Sequence, residues 1–221
     1  MVVRNVYRRT FKFHNNPGEA HYLTFSCFKK RHFLSRDRTR QYVIDALERS
    51  RARYGFDLWA FVIMSNHVHL LIYPPGDNDD MGKIEVAIKL SVSRRAMNYL
   101  RRHNPEGLRV LETGQQDTPY RFWQQGNGYD ENVASPEAIF EIIRYIHENP
   151  VRAGLCEEPA DWQWSSAREW RKQGSGPLRL DRDHWIESGF NKWQCRTARS
   201  RFGWAVGPGE AGSCVGFEVL R

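Results

Sequence analysis

The chain has 221 residues, with 33 Lys and Arg against 26 Asp and Glu and a formal net charge of +7. That length suits one domain with a real core and a small extension, and the positive balance favours an acidic partner, of which nucleic acid is the commonest. No apolar run approaches membrane-spanning length, the first eighteen residues, "MVVRNVYRRTFKFHNNPG", lack the apolar stretch of a signal peptide, and the four cysteines (Cys27, Cys156, Cys195, Cys214) are scattered and form no C-x-x-C, so they indicate neither a disulfide framework nor a zinc ribbon. The expectation is a soluble cytoplasmic protein with reduced thiols and no membrane partner, carrying eight Trp among its 13% aromatics as stacking surface.

In chain order, "HYLTFSCF" (21–28) alternates with aromatic and β-branched residues and reads as a strand. After the basic turn "KKRHFLSRD", the stretch "RTRQYVIDALERSRARYG" places Tyr42, Val43, Ala46 and Leu47 at helical spacing, and Gly55 stops it. "FDLWAFVIM" and "HVHLLIYP" are two strands joined by Ser65-Asn66 as a tight turn. "MGKIEVAIKLSVSRRAMNYLRRHN" is a second helix, apolar along Ile84, Ile88, Val92 and Tyr99 and basic elsewhere. The Gly- and Gln-rich stretch 107–134 holds at most one or two short strands. "SPEAIFEIIRYIHENP" is a third helix with Ser135 as N-cap and Pro136 at its first position, ending against Pro150. The order strand, helix, strand, strand, helix, strand, helix predicts an α+β, ferredoxin-like antiparallel sheet backed by helices. Residues 1–155 read as the main domain and 156–221 as a Trp-, Arg- and Gly-rich C-terminal extension.

Two residues stand out in the strand "HVHLLIYP". With a side-chain period of two, His67 and His69 share one face while Val68 and Leu70 take the other. Neutral imidazoles are the commonest metal ligands. Eight His in 221 residues give roughly 0.3 His-x-His pairs by chance, so hydrogen-bonded strand histidines compete evenly with half a metal site. In the third helix Tyr145 and Asn149 lie four residues apart, on one face. Asn149, before Pro150, has a side-chain carbonyl free to ligate. Two imidazoles and an amide oxygen would leave positions for a substrate oxygen, and a tyrosine one turn away could attack a phosphorus atom held there.

"VIMSNHVHLLI" and, further along, "RYIHENPVRAGL" resemble the REP-associated tyrosine transposases, relatives of the single-tyrosine transposases of small bacterial insertion sequences and members of the HUH (His, hydrophobic, His) nucleases. "FWQQGNGYDENVASPE" and "WQWSSAREW" resemble the family's segment before the tyrosine helix and its usual tail, so the resemblance spans residues 18 to 170. It implies the HUH nuclease fold, with His67, His69 and Asn149 as ligands of a divalent metal, Mg²⁺ or Mn²⁺, and Tyr145 as nucleophile. It also implies transesterification on single-stranded DNA hairpins of palindromic repeats, giving a 5′-phosphotyrosine linkage and a free 3′-OH that later rejoins without ATP. Monomer and homodimer both fit.

Plainer readings stand beside these. Tyr145, among Ile142, Ile143 and Ile146, has the neighbours of a core tyrosine, and Asn149 those of a helix cap. Asp130 is the polar residue expected nearest the site, or else an exposed loop carboxylate. His147 faces away from Tyr145. Arg94, Arg95, Arg101 and Arg102 form a basic helical cluster that is either a solvated face or a DNA-phosphate contact. Trp162, Trp164 and Trp170 are expected to pack on the domain rather than stack bases. Two other functions remain in view: a catalytically silent hairpin-binding protein on the same fold, and an unrelated metal-dependent hydrolase that uses water.

Overall fold

The computed structural model describes residues 18–181 apart from 75, 77–80 and 127. The remaining N-terminal stretch and residues 182–221, with Cys195 and Cys214, lie outside the described residues. Four strands, β1 (Ala20–Ser26), β2 (Asp57–Ile63), β3 (His67–Tyr73) and β4 (Tyr129–Val133), form one antiparallel sheet in the order β2-β3-β1-β4. The helices are α1 (Asp37–Tyr54), α2 (Met81–His103), α3 (Pro136–Arg152) and the short α4 (Ala167–Arg171). This is the ferredoxin-like α+β arrangement that the alternation of periods predicts. Strand ends differ from the sequence reading by a residue or two, the ordinary uncertainty of element boundaries.

Period two sorts the sheet into two faces. Leu23, Phe25, Phe61, Ile63, Val68, Leu70 and Ile72 meet the apolar sides of α1 (Val43, Leu47) and α2 (Ile84, Ile88, Val92). Tyr22, Ala60, Val62, Leu71 and Val133 meet Ile139, Ile143 and Ile146 of α3. The domain is therefore three layers deep, with α3, joined by Trp170 of α4, on the second side of the sheet among the described residues. A register shift between Leu58 and Ala60 keeps β2 serving both faces. Gly55 ends α1 at φ 72° with its N–H on the Arg51 carbonyl, a left-handed cap that favours glycine.

Two readings need correction. The first helical end predicted at Pro150 is not an end: α3 runs through Pro150 to Arg152. The proline removes one donor near the last turn, and the N–H groups of Ala153 and Gly154 close on the carbonyls of Asn149 and Val151 beyond it. Strand β1 stops at Ser26, and Phe28–Lys30 form a 3₁₀ turn in which Lys29 and Lys30 both have φ 53°. A left-handed pair without glycine is strained backbone held by its surroundings.

Residues 156–181 of the extension pack on the domain. The Ile63 N–H donates to the Trp164 carbonyl, that of Ser166 to Phe61 and that of Asp181 to Leu58, so the tail covers the outer edge of β2. Trp162 and Trp164 sit 4.9 and 5.8 Å from the Arg40 guanidinium, and Trp170 Nε1 donates to the Trp59 carbonyl. His147, buried on α3, is 2.8 Å from Ser166 Oγ and ties the helix to this tail. Burial holds its imidazole neutral, with the pKa pushed down to about 3. An unfolded histidine takes up its proton below about 6.5 while the folded one does not, so stability is full above that pH. It falls by about 1.4 kcal/mol per pH unit as the pH drops toward the folded value. Urea titrations at pH 7 and pH 4.5 should therefore show His147→Gln losing about 2–3 kcal/mol less than the parent across that interval. Equal losses would mean that His147 charges while folded.

Candidate active site

On the α3 side of the sheet, β3 presents His67, His69 and then Leu71, and α3 covers only the apolar end of that row. The two imidazoles are left side by side, ring centroids 4.8 Å apart and planes at 86°. Register brings β1 alongside: Thr24 stands opposite His69 and Ser26 opposite His67. His69 is 5% exposed, and Tyr22 Oη and Thr24 Oγ1 lie 2.7 and 2.8 Å from its Nδ1. Its Nε2 is buried without a hydrogen-bond partner. His67 Nδ1 lies 2.6 Å from Asn66 Oδ1.

Electrostatics keep both rings neutral. Burial, and then His67 beside it, push His69 down to about 3; burial, and then the Lys30 charge, lower His67. A neutral ring with an unsatisfied buried nitrogen is what a cation needs. Among the described residues no cluster of three His, Cys, Asp or Glu exists, so a third ligand drawn from those residues is of another type. Asn149, one turn beyond Tyr145 on α3, carries an amide. Its Nδ2 donates to the Tyr145 carbonyl at 2.8 Å, which leaves Oδ1 as its accepting end. The two adjacent neutral imidazoles fit a divalent cation.

Tyr145 is not a core residue. It is 41% exposed, while Ile143 and Ile146 carry the buried side of α3. Its ring meets His69 edge-on at 5.7 Å and Tyr22 at 6.3 Å, and the Arg152 guanidinium lies 4.8 Å from its centroid. These side chains line a cleft of about 600 Å³ together with Thr24, Tyr129, Ile142 and Arg144. Burial raises the Tyr22 phenol to about 12 and keeps it protonated. Gly128 lets β4 approach: a Cβ there would come 1.8 Å from the Thr24 carbonyl oxygen.

The other predicted residues lie elsewhere. Asp130 is on β4 but points to the opposite face, paired at 3.0 Å with buried His21, because one step along a strand reverses the side. Arg94, Arg95, Arg101 and Arg102 belong to α2, behind the sheet as seen from the histidines. Arg95 is held by Asp45 and lies 4.3 Å from the Tyr42 ring centroid; Arg101 reaches Asn98, and Arg94 and Arg102 are exposed. Sequence reasoning missed Tyr22, Thr24, Tyr129 and Arg152. The alternation in "HYLTF" does put Tyr22 and Thr24 on one face, but only the strand order shows that this face belongs to His69.

The family model for IS200-like transposases matches residues 18–149. A REP-associated tyrosine transposase of Haemophilus influenzae is 30% identical over 168 residues, covering 72% of this chain and 84% of that protein. The structure of a REP-associated tyrosine transposase bound to a REP hairpin shares the fold, with a TM-score of 0.58 at 17% identity over 77% of this chain and 90% of the other. Among the described residues no helix is long and apolar enough to cross a membrane. On the family match and the 30% identity, this chain belongs to the IS200-like transposases, in the REP-associated tyrosine transposase family.

Proposed function

We propose that this protein cleaves and rejoins single-stranded DNA beside palindromic hairpins, with Tyr145 as nucleophile and His67, His69 and Asn149 holding Mg²⁺ or Mn²⁺. The observation that carries the reading is the placing of an exposed phenol 5.7 Å from a buried imidazole whose Nε2 has no partner. The structural neighbour is bound to a REP hairpin, and we extend that substrate class to this chain. Tyr145 Oη gives up its proton and attacks the phosphorus; an O–P bond forms to the tyrosine, the bond to the 3′ oxygen breaks and that oxygen takes up a proton, leaving a 5′-phosphotyrosine and a free 3′-OH. The cation, when bound, polarises a phosphate oxygen. His67 and His69, being neutral, offer lone pairs rather than repulsion. Arg152 and Arg144, ion-paired along α3 with Glu148 and Glu141, line the cleft beside Glu141 and would exchange those partners for the phosphate, and Tyr129, 48% exposed, offers a ring on which an unpaired base can stack. Incubation with a labelled hairpin oligonucleotide and Mn²⁺ should give a protein–DNA adduct that survives a denaturing gel; cleavage without one would reject the tyrosine mechanism.

In this reading phosphate contacts divide between two groups: Lys30 and Arg152 beside the site, and Arg94, Arg101 and Arg102 of α2 on the far side of the sheet, which we assign to the hairpin stem. The log of affinity should fall with log salt by about 0.7 per phosphate on single strands. Lys30→Gln with Arg152→Gln should shallow that slope by about one to two for an unpaired oligonucleotide and a hairpin alike. Arg94→Gln with Arg101→Gln should do so for the hairpin alone. Equal effects of the second pair on both ligands would remove α2 from stem binding.

A further inference from the structure

Which nitrogen of each imidazole carries the proton is decided by residues around the histidines. For His67 the chain of hydrogen bonds leaves one answer. Asn66 Nδ2 donates to the Lys30 carbonyl at 3.2 Å, which fixes the amide's orientation and turns Oδ1 to His67 Nδ1 at 2.6 Å. A carbonyl oxygen only accepts, so Nδ1 must bear the hydrogen and Nε2 the lone pair. The Lys30 carbonyl is aimed by the strained turn in which Lys29 and Lys30 both hold φ 53°, and the main-chain carbonyl of Asn66 accepts from the Cys27 N–H at 2.8 Å, which holds the residue in place. The unusual backbone thus has a consequence at the metal-binding ring.

At His69 two hydroxyls share one nitrogen. Tyr22 Oη and Thr24 Oγ1 both stand within 2.8 Å of Nδ1, and the Tyr22 and His69 rings are nearly parallel, at 5° with centroids 5.8 Å apart. Were Nδ1 the acceptor, Nε2 would carry a hydrogen into a buried place with no acceptor, a cost of about 1–3 kcal/mol. With the hydrogen on Nδ1, both hydroxyl oxygens accept it and Nε2 keeps its lone pair for a cation. We infer that Asn66, Tyr22 and Thr24 are positioning residues that lock both histidines in the Nδ1–H tautomer and so reserve both Nε2 atoms for the metal. None of the three touches the cation or the DNA phosphate in this assignment. It rests on the proposed metal site.

The test has two arms on the full chain. In metal-free protein with ¹⁵N-labelled histidine, His67 and His69, assigned with the single His→Ala variants, should show the Nδ1–H pattern in long-range imidazole correlations. Titration calorimetry with Mn²⁺ should show affinity about 10–100-fold weaker in Asn66→Ala and in the Tyr22→Phe/Thr24→Val pair. Tyr22→Phe/Thr24→Ser, which restores one hydroxyl, should recover most of that loss. Thermal midpoints close to the parent's would exclude unfolding as the cause. An Nε2–H pattern at either ring, or unchanged affinity in Asn66→Ala and the hydroxyl-free pair, would overturn the inference. A parent that binds no Mn²⁺, or binds it equally without His67 and His69, would instead overturn the metal site beneath it.

Discussion

Tyr145→Phe should abolish the covalent adduct, lowering cleavage of a hairpin oligonucleotide by about 10³-fold or more, while hairpin affinity stays close to the parent's. The substitution removes one oxygen. The ring remains, with its edge contacts to His69 and Tyr22 and its face toward Arg152, so the cleft keeps its shape. Denaturing gels read the adduct and filter binding reads the affinity. A Phe variant that cleaves at the parent's rate would remove Tyr145 from the chemistry.

The second large effect belongs to the histidines. His67→Ala or His69→Ala should lower Mn²⁺ affinity and cleavage by orders of magnitude, because a lost imidazole lone pair has no substitute among the described residues. His69→Ala also strips the Tyr22 and Thr24 hydroxyls of their shared partner inside the sheet, and is expected to cost stability as well. Asn149→Ala should be milder, since water replaces an amide oxygen readily in an octahedral shell. Calorimetry showing the same metal binding in the double His variant would place the cation elsewhere.

Much of the fold was legible because it follows from periodicity. The switch from period two to 3.6 at each boundary gave the element order, and that order with the Ser65-Asn66 hairpin implies the sheet topology found. The histidine pair was visible for the same reason. Tyr145 was harder: flanked by isoleucines, it has the neighbours of a buried residue. Its exposure depends on α3 leaving one end of the sheet uncovered, which no local pattern records. Asp130 shows how sharply a strand punishes an error of one residue, its carboxylate lying with His21 on the far face. Arg95 looked like a free cation because its partner, Asp45, comes from another helix. The tail's hold on β2 runs through main-chain groups of Ile63 and Trp164, Phe61 and Ser166, and side-chain identity says little about such bonds.

Central to this account is a bond between Tyr145 and the 5′ phosphate of cleaved DNA. Peptide mapping of the product formed with Mn²⁺ in heavy-oxygen water tests it most directly. The peptide containing Tyr145 should carry the nucleotide through its 5′ phosphate, with no heavy oxygen in that phosphate. A free 5′ phosphate bearing heavy oxygen, with Tyr145 unmodified, would contradict the account and identify water as the nucleophile.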